Sequence, residues 1–141
     1  MNSSIENKEL KIKTELDIQK GIRSVEDELV IAIQNALNKT EYNDLKSSQF
    51  RNLLRVADTT DSAEVIKNYI RYQVGRDKKW GRGANSLAEQ IINDIDNTLK
   101  KQAQEIAKTA STKDFNAIWL KLIRLYLGYG ARHLTYLKPE N

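Results

Sequence analysis

At 141 residues, with 40% apolar and 30% charged side chains, the chain has material for one hydrophobic core and is too short for two ordinary domains. No run approaches the roughly 18 consecutive apolar residues of a membrane helix, and the start Met-Asn-Ser-Ser-Ile-Glu-Asn-Lys lacks the basic and apolar regions of a signal peptide, so a single cytoplasmic domain is expected, with no membrane contact. With no cysteine and a single histidine, disulfides, thiolate sites and a cysteine nucleophile are excluded, and neither metal nor cofactor is expected.

The net charge of +4 is unevenly placed. Residues 1 to 45 carry six basic against nine acidic side chains, and residues 46 to 141 carry seventeen against ten. The last two-thirds of the chain is therefore the part suited to an anionic partner.

One proline and six glycines, the latter concentrated in residues 75 to 83 and 128 to 130, leave few breakers, and the pattern predicts an all-α, single-domain bundle of about five helices over residues 1 to 141. Ile5, Leu10, Ile12, Leu16 and Ile18 mark a first amphipathic stretch of irregular spacing, and residues 1 to 20 are read as the least ordered part. Ser24, with Asp27 three residues on, signals the start of a second helix carrying Leu29, Val30, Ile33 and Leu37 and ending near Asn38.

After a polar connection, Ser47 or Ser48 can cap a short helix with Phe50, Leu53, Leu54 and Ala57 inward. Arg51 and Arg55 lie four apart on its other side, where two guanidiniums can clamp a phosphodiester or pair with Asp58 and Asp61 or with carboxylates of the N-terminal segment. Asp61 or Ser62 caps the next helix, whose inward set includes Val65, Ile66, Tyr69, Ile70 and Val74, and whose outward pair is Lys67 and Arg71. The helix leads into Arg71-Tyr72-Gln73-Val74-Gly75-Arg76-Asp77-Lys78-Lys79-Trp80-Gly81-Arg82, the most informative stretch of the chain.

Five cationic side chains stand there against Asp77 alone, a field that attracts a polyanion, while Tyr72 and Trp80 offer flat faces on which an unpaired base could stack. The plainer alternative is a solvated helix end, its cations opposing the helix macrodipole and its tryptophan anchoring the core. Gly75, Gly81 and Gly83 could let backbone N–H groups approach phosphate, but the strand context and lysine-serine ending of a mononucleotide loop are missing.

Asn85 or Ser86 opens a long helix to about Lys108, with Leu87, Ile91, Ile92, Ile95, Leu99, Ala103 and Ile106 inward; Asp94 and Asp96 fall on the face read as solvated. Thr112 is the expected cap of a last helix whose broad apolar band runs from Phe115 to Leu134. Leu125, Tyr129, Tyr136 and Leu137 exceed what one core needs and suit another subunit. Gly128 and Gly130 imply a close approach there, and Arg124 and Arg132, eight apart, make a second row for phosphate. His133 has no recognisable nucleophile or acid partner, so a catalytic role is not expected.

Three segments, Ser48-Gln49-Phe50-Arg51-Asn52-Leu53-Leu54, Ile70-Arg71-Tyr72-Gln73-Val74-Gly75-Arg76 with Trp80, and Trp119-Leu120-Lys121-Leu122-Ile123-Arg124-Leu125-Tyr126, together resemble the small helical subunits of CRISPR effector complexes. The likeness covers roughly residues 46 to 137. It is strongest to the type I-D small subunit, which corresponds to the C-terminal helical region of that system's large subunit; the type III small subunit is a near relative. The resemblance implies a non-catalytic, prokaryotic protein stacked in several copies within a crRNA-guided complex. Its partners would be the backbone and large subunits, copies of itself, and target DNA or a displaced strand held through phosphate. The competing expectation is a helical adaptor that docks a protein through the last helix.

Overall fold

Helical periodicity with few breakers yields five helices in the computed structural model, which describes residues 2 to 139, and no strand forms among them. Helix α1 is Asn2–Lys39, α2 is Ser47–Thr59, α3 is Ala63–Arg76, and α5 is Phe115–Leu137. Between the last two, Leu87–Asp94, a wide turn at Ile95–Leu99 and Lys100–Thr109 run on as one helix, α4. Helix α5 is the hub, packed against α1, α2 and α4, while α3 closes over α2 and α4.

The two helices expected before residue 39 are one, and residues 2 to 20, read as the least ordered, are helical throughout. Ser24 caps nothing: its hydroxyl donates to the Gly21 carbonyl at 2.6 Å, inside the helix. Gly21 does not break α1 either, because it serves packing. A Cβ there would stand 2.8 Å from Ile106 Cγ2, so only glycine lets α1 lie this close to α4.

Other helix starts follow the sequence more closely. Ser62 Oγ accepts from the Val65 N–H and Ser86 Oγ from the Glu89 N–H, each at 3.2 Å, so both serines cap as expected. For α2, the first helical residue is Ser47, and Gln49 Oε1 accepts the Lys46 N–H at 3.0 Å. Thr112 lies outside α5, with its hydroxyl accepting from the Asp114 N–H at 3.2 Å in the turn before it.

The core runs the length of the bundle, from Leu29 and Ile33 of α1 through Phe50 and Leu53 of α2, Ile66 of α3 and Ile91, Ile95 and Leu99 of α4 to Tyr126 and Leu127 of α5. At the wide turn of α4, Trp119 Nε1 donates to the Ile95 carbonyl at 2.8 Å, a side chain engaging the ladder where the helix widens. Gly130 meets the expected close approach, since a Cβ would lie 2.6 Å from the Phe50 ring; Gly128 does not, its nearest neighbour being Leu54 at 3.9 Å.

Candidate nucleic-acid interface

The C-terminal half of α3 carries Arg71, Tyr72 and Arg76 outward, and all three are exposed. The Arg76 guanidinium carbon stands 5.8 Å from the centre of the Tyr72 ring, and Tyr72 is 58% exposed, so cation and aromatic ring form one unit at the surface. Tyr69 backs Tyr72 at 6.3 Å between ring centres. Gln73 and Ile70, on the inner side of the same turns, are buried.

The loop that follows continues this cationic surface and is held in place by backbone pairing. The N–H of Glu41 donates to the Asn85 carbonyl at 2.9 Å, that of Leu87 to the Glu41 carbonyl at 3.1 Å, and that of Asn43 to the Lys79 carbonyl at 3.1 Å. Asn43 Nδ2 adds a bond to the Lys78 carbonyl at 2.9 Å. Gly81, at φ +76°, is required here, because a Cβ would lie 2.2 Å from the Glu41 oxygen. With its backbone tied inward, the loop leaves Lys78 and Arg82 exposed and Lys79 half-buried.

Asp77 is the one carboxylate within the stretch, and its Oδ1 accepts the Lys79 N–H at 2.9 Å to close the turn. Lys78 and Arg82 then border a cleft of about 580 Å³ whose other wall is Tyr42 and Asn43. The backbone N–H of Gly81 is committed to the Lys78 carbonyl at 3.2 Å and so is not offered to a phosphate.

Three of the residues expected at this surface are elsewhere engaged. Lys67 does not continue the row to Arg71. It is 5% exposed, its Nζ lying 2.7 Å from Asp96 Oδ1 on α4 and 2.6 Å from Glu64 Oε1. Burial alone would lower its pKa, but hydrogen bonds and charge from Asp96 and Glu64 outweigh it and hold the ammonium above its ordinary value. Trp80 offers no stacking face, being 2% exposed with its ring 5.5 Å from that of Phe50. The plainer reading, a core anchor, is the observed one.

Arg124 is the third. Its Nε donates to the Ala57 carbonyl at 2.9 Å and its Nη2 to the Thr60 carbonyl at 2.8 Å, which satisfies the C-terminal end of α2. Asp58 and Asp61, weighed as partners for Arg51 and Arg55, instead lie 4.0 and 3.7 Å from this guanidinium.

Arg51 and Arg55 are exposed on α2 and make local bonds to Ser47 Oγ at 3.2 Å and Asn52 Oδ1 at 2.9 Å. Arg132, also exposed, belongs to a different place, a groove between α1 and α5 lined by Val30, Gln34, Tyr129, His133 and Tyr136. His133 Nε2 shares a 3.0 Å hydrogen bond with Asn38 Oδ1. The candidate surface thus comprises Arg71, Tyr72, Arg76, Lys78, Lys79 and Arg82 on the end of α3 and the loop after it, with Arg51 and Arg55 exposed on α2 and Arg132 on α5.

Sequence reasoning missed the contribution of residues 41 to 43, which read only as a polar connection; Asn43, of a type that favours turns, was the available signal. It also missed Asp94. That carboxylate is 6% exposed and accepts from the Tyr126 hydroxyl at 2.6 Å and from Gln90 Nε2 at 2.9 Å, on the far side of α4 from Asp96. Among the described residues no group of three or more histidine, cysteine or carboxylate side chains could hold a metal ion, and no helix is long and apolar enough to cross a membrane. Comparison with known proteins finds no matching family model, no matching curated protein and no matching solved structure.

Proposed function

We propose that this chain is a non-catalytic nucleic-acid-holding subunit, gripping the backbone of a single strand or an opened duplex through Arg71, Arg76, Lys78 and Arg82, with Tyr72 stacking on an exposed base. The observation that carries this reading is the Arg76–Tyr72 unit, 5.8 Å apart and open to solvent, continuing into a basic loop whose lone carboxylate is turned onto its own backbone. Arginines on a rigid helix end position phosphate without reading sequence. An adjacent aromatic face accepts any base, and each stacked base contributes about 1–3 kcal/mol.

That division of labour is the one expected of a small helical subunit in a crRNA-guided CRISPR effector, where pairing with the guide supplies specificity and protein cations offset the cost of holding the target open. The resemblance on residues 46 to 137 supports the same assignment, with several copies, the backbone and large subunits, and target or displaced strand as partners, in a prokaryotic cytoplasm.

The test is fluorescence anisotropy of the full chain with a labelled oligothymidine across a salt series. Wild type binds with an affinity that falls as salt rises, and the R71E/R76E variant binds at least about tenfold more weakly with a shallower salt slope. Both residues are exposed, so the variant keeps its fold. Equal binding by wild type and variant overturns the assignment of the interface. Co-purification of a tagged chain with repeat-flanked guide RNA and larger subunits tests the assembly.

A second reading, a protein-docking adaptor, rests on Tyr136 and Leu137 at the end of α5, 78% and 39% exposed. It predicts indifference to nucleic acid at every salt concentration.

A further inference from the structure

Residues 3 to 16 of α1 stand off the bundle. From Ser3 to Leu16 every residue is exposed except Thr14, which is half-buried, and contact with the body begins at Asp17 and Ile18. At 1.5 Å per residue this leaves an arm of roughly 20 Å standing clear. It carries a stripe of Ile5, Ile12 and Leu16, which are 58%, 58% and 49% exposed. At 100° per residue the stripe is turned roughly 120° from the side on which Ile18, Ile22 and Leu29 face the bundle, so a second helix can lie along it without meeting the body.

We infer that this arm pairs antiparallel with the same arm of a second copy of the chain. Ile5 and Ile12 fall at the d positions of a heptad and Glu9 and Leu16 at the a positions. Antiparallel pairing sets Ile5 of one copy against Leu16 of the other, and Ile12 against Glu9. Glu9 can lay its methylene stem over the second copy's Ile12 while its carboxylate reaches the second copy's Lys13.

The flanking charges decide the orientation. In this register the e positions oppose each other as Glu6 against the second copy's Lys13, and the g positions as Lys8 against the second copy's Glu15. By two-fold symmetry that makes four pairs, all of opposite sign, and all four residues are exposed on the arm. Parallel pairing would instead set Lys8 against the second copy's Lys13 on both sides and Glu9 against Glu9 in the seam. The sequence therefore encodes one orientation and penalises the other.

Six apolar side chains are fewer than a standard interface carries, so the pair is weak, with a dissociation constant on the order of 10–1,000 μM, and salt loosens it. This pairing is independent of the nucleic-acid reading, since none of its residues lies at the cationic surface.

The experiment is sedimentation equilibrium of the full chain from about 10 μM to 1 mM, at low and high salt. Wild type shows a reversible monomer–dimer exchange that salt weakens. K8E/K13E, which makes every flanking pair acid against acid, and E6K/E15K, which makes every pair base against base, each associate at least about tenfold more weakly. Mixed in equal amounts, the two variants regain a dimer, because all four pairs are then opposite in sign.

I5S/I12S keeps the charges and removes most of the stripe, and it stays monomeric. A wild type that is monomeric at 1 mM, or a dimer that survives both the charge reversals and I5S/I12S, overturns the proposal. So does failure of the mixture to pair while circular dichroism shows the arms still helical.

Discussion

Lys67 and Arg71 stand four residues apart on α3, carry the same charge and precede the same loop, yet one is sealed under α4 by Asp96 and the other is open to solvent. The aromatic pair divides the same way: Trp80 fills the core against Phe50, while Tyr72 lies outside with Arg76 over its ring. Positive charge is common to both members of the first pair, and an aromatic ring to both members of the second. What separates them is whether the fold brings an internal partner, and only side chains without one are available to a ligand. The stretch from Lys67 to Arg82 is therefore two layers, an inner one that locks the loop and an outer one that presents charge.

The sharpest way to break this division is to truncate its two aromatic members. Trp80→Ala leaves a large void beside Phe50 and is expected to destabilise the protein by about 3–5 kcal/mol, read as a shift in the urea unfolding midpoint. Tyr72→Ala changes stability by no more than about 0.5 kcal/mol and acts on nucleic-acid affinity instead. Comparable losses from both would mean that Tyr72 is structural and the layers are not distinct.

A smaller effect separates the cations. Arg124→Ala frees the carbonyls of Ala57 and Thr60 at the end of α2 and is expected to cost about 1–2 kcal/mol, with nucleic-acid binding unchanged. Arg71→Ala shows the reverse pattern. An Arg124 variant that is fully stable but binds oligothymidine poorly would return Arg124 to the interface.

Much of the fold was legible because its signals are local: Ser62 and Ser86 cap where their spacing says they should, and the inward sets of α2, α4 and α5 are buried as their period predicts, apart from the half-buried Leu54 and Phe115. Where a residue's role depends on a distant segment, local pattern failed. Lys67 is inward only because Asp96 arrives from 29 residues away, and Arg124 is committed only because the end of α2 lies beneath it. Gly21 behaves the same way, since its packing against Ile106 is invisible until α1 and α4 are placed together. For the candidate site, composition located the segment and its exposed arginines, whereas the burial of Trp80 and the anchoring by Asn43 belong to tertiary structure.

Asp94 and Asp96 repeat the comparison with carboxylates, and here pH resolves it. Asp96 faces Lys67, whereas Asp94 is buried without a cation and is held by the hydroxyl of Tyr126 and the amide of Gln90. Burial raises the Asp94 pKa above its ordinary 3.8, partly offset by those two donors. Burial and the Asp94 charge hold the Tyr126 hydroxyl well above its ordinary range, so it remains a donor throughout. A carboxyl whose folded pKa is raised contributes stability below its unfolded value and loses it as pH climbs through the folded one. Asp94→Asn keeps an acceptor for Tyr126 and cannot ionise. Below about pH 4 the variant and wild type should be nearly equal in stability. As pH rises above that, the variant gains on the wild type by an amount under about 1 kcal/mol, measured as the difference between two urea unfolding series, in which the other carboxylates cancel. A difference that is flat or falls with pH would mean that the Asp94 carboxylate is stabilised in the fold like an ordinary paired acid, and that the buried layer tolerates its charge without cost.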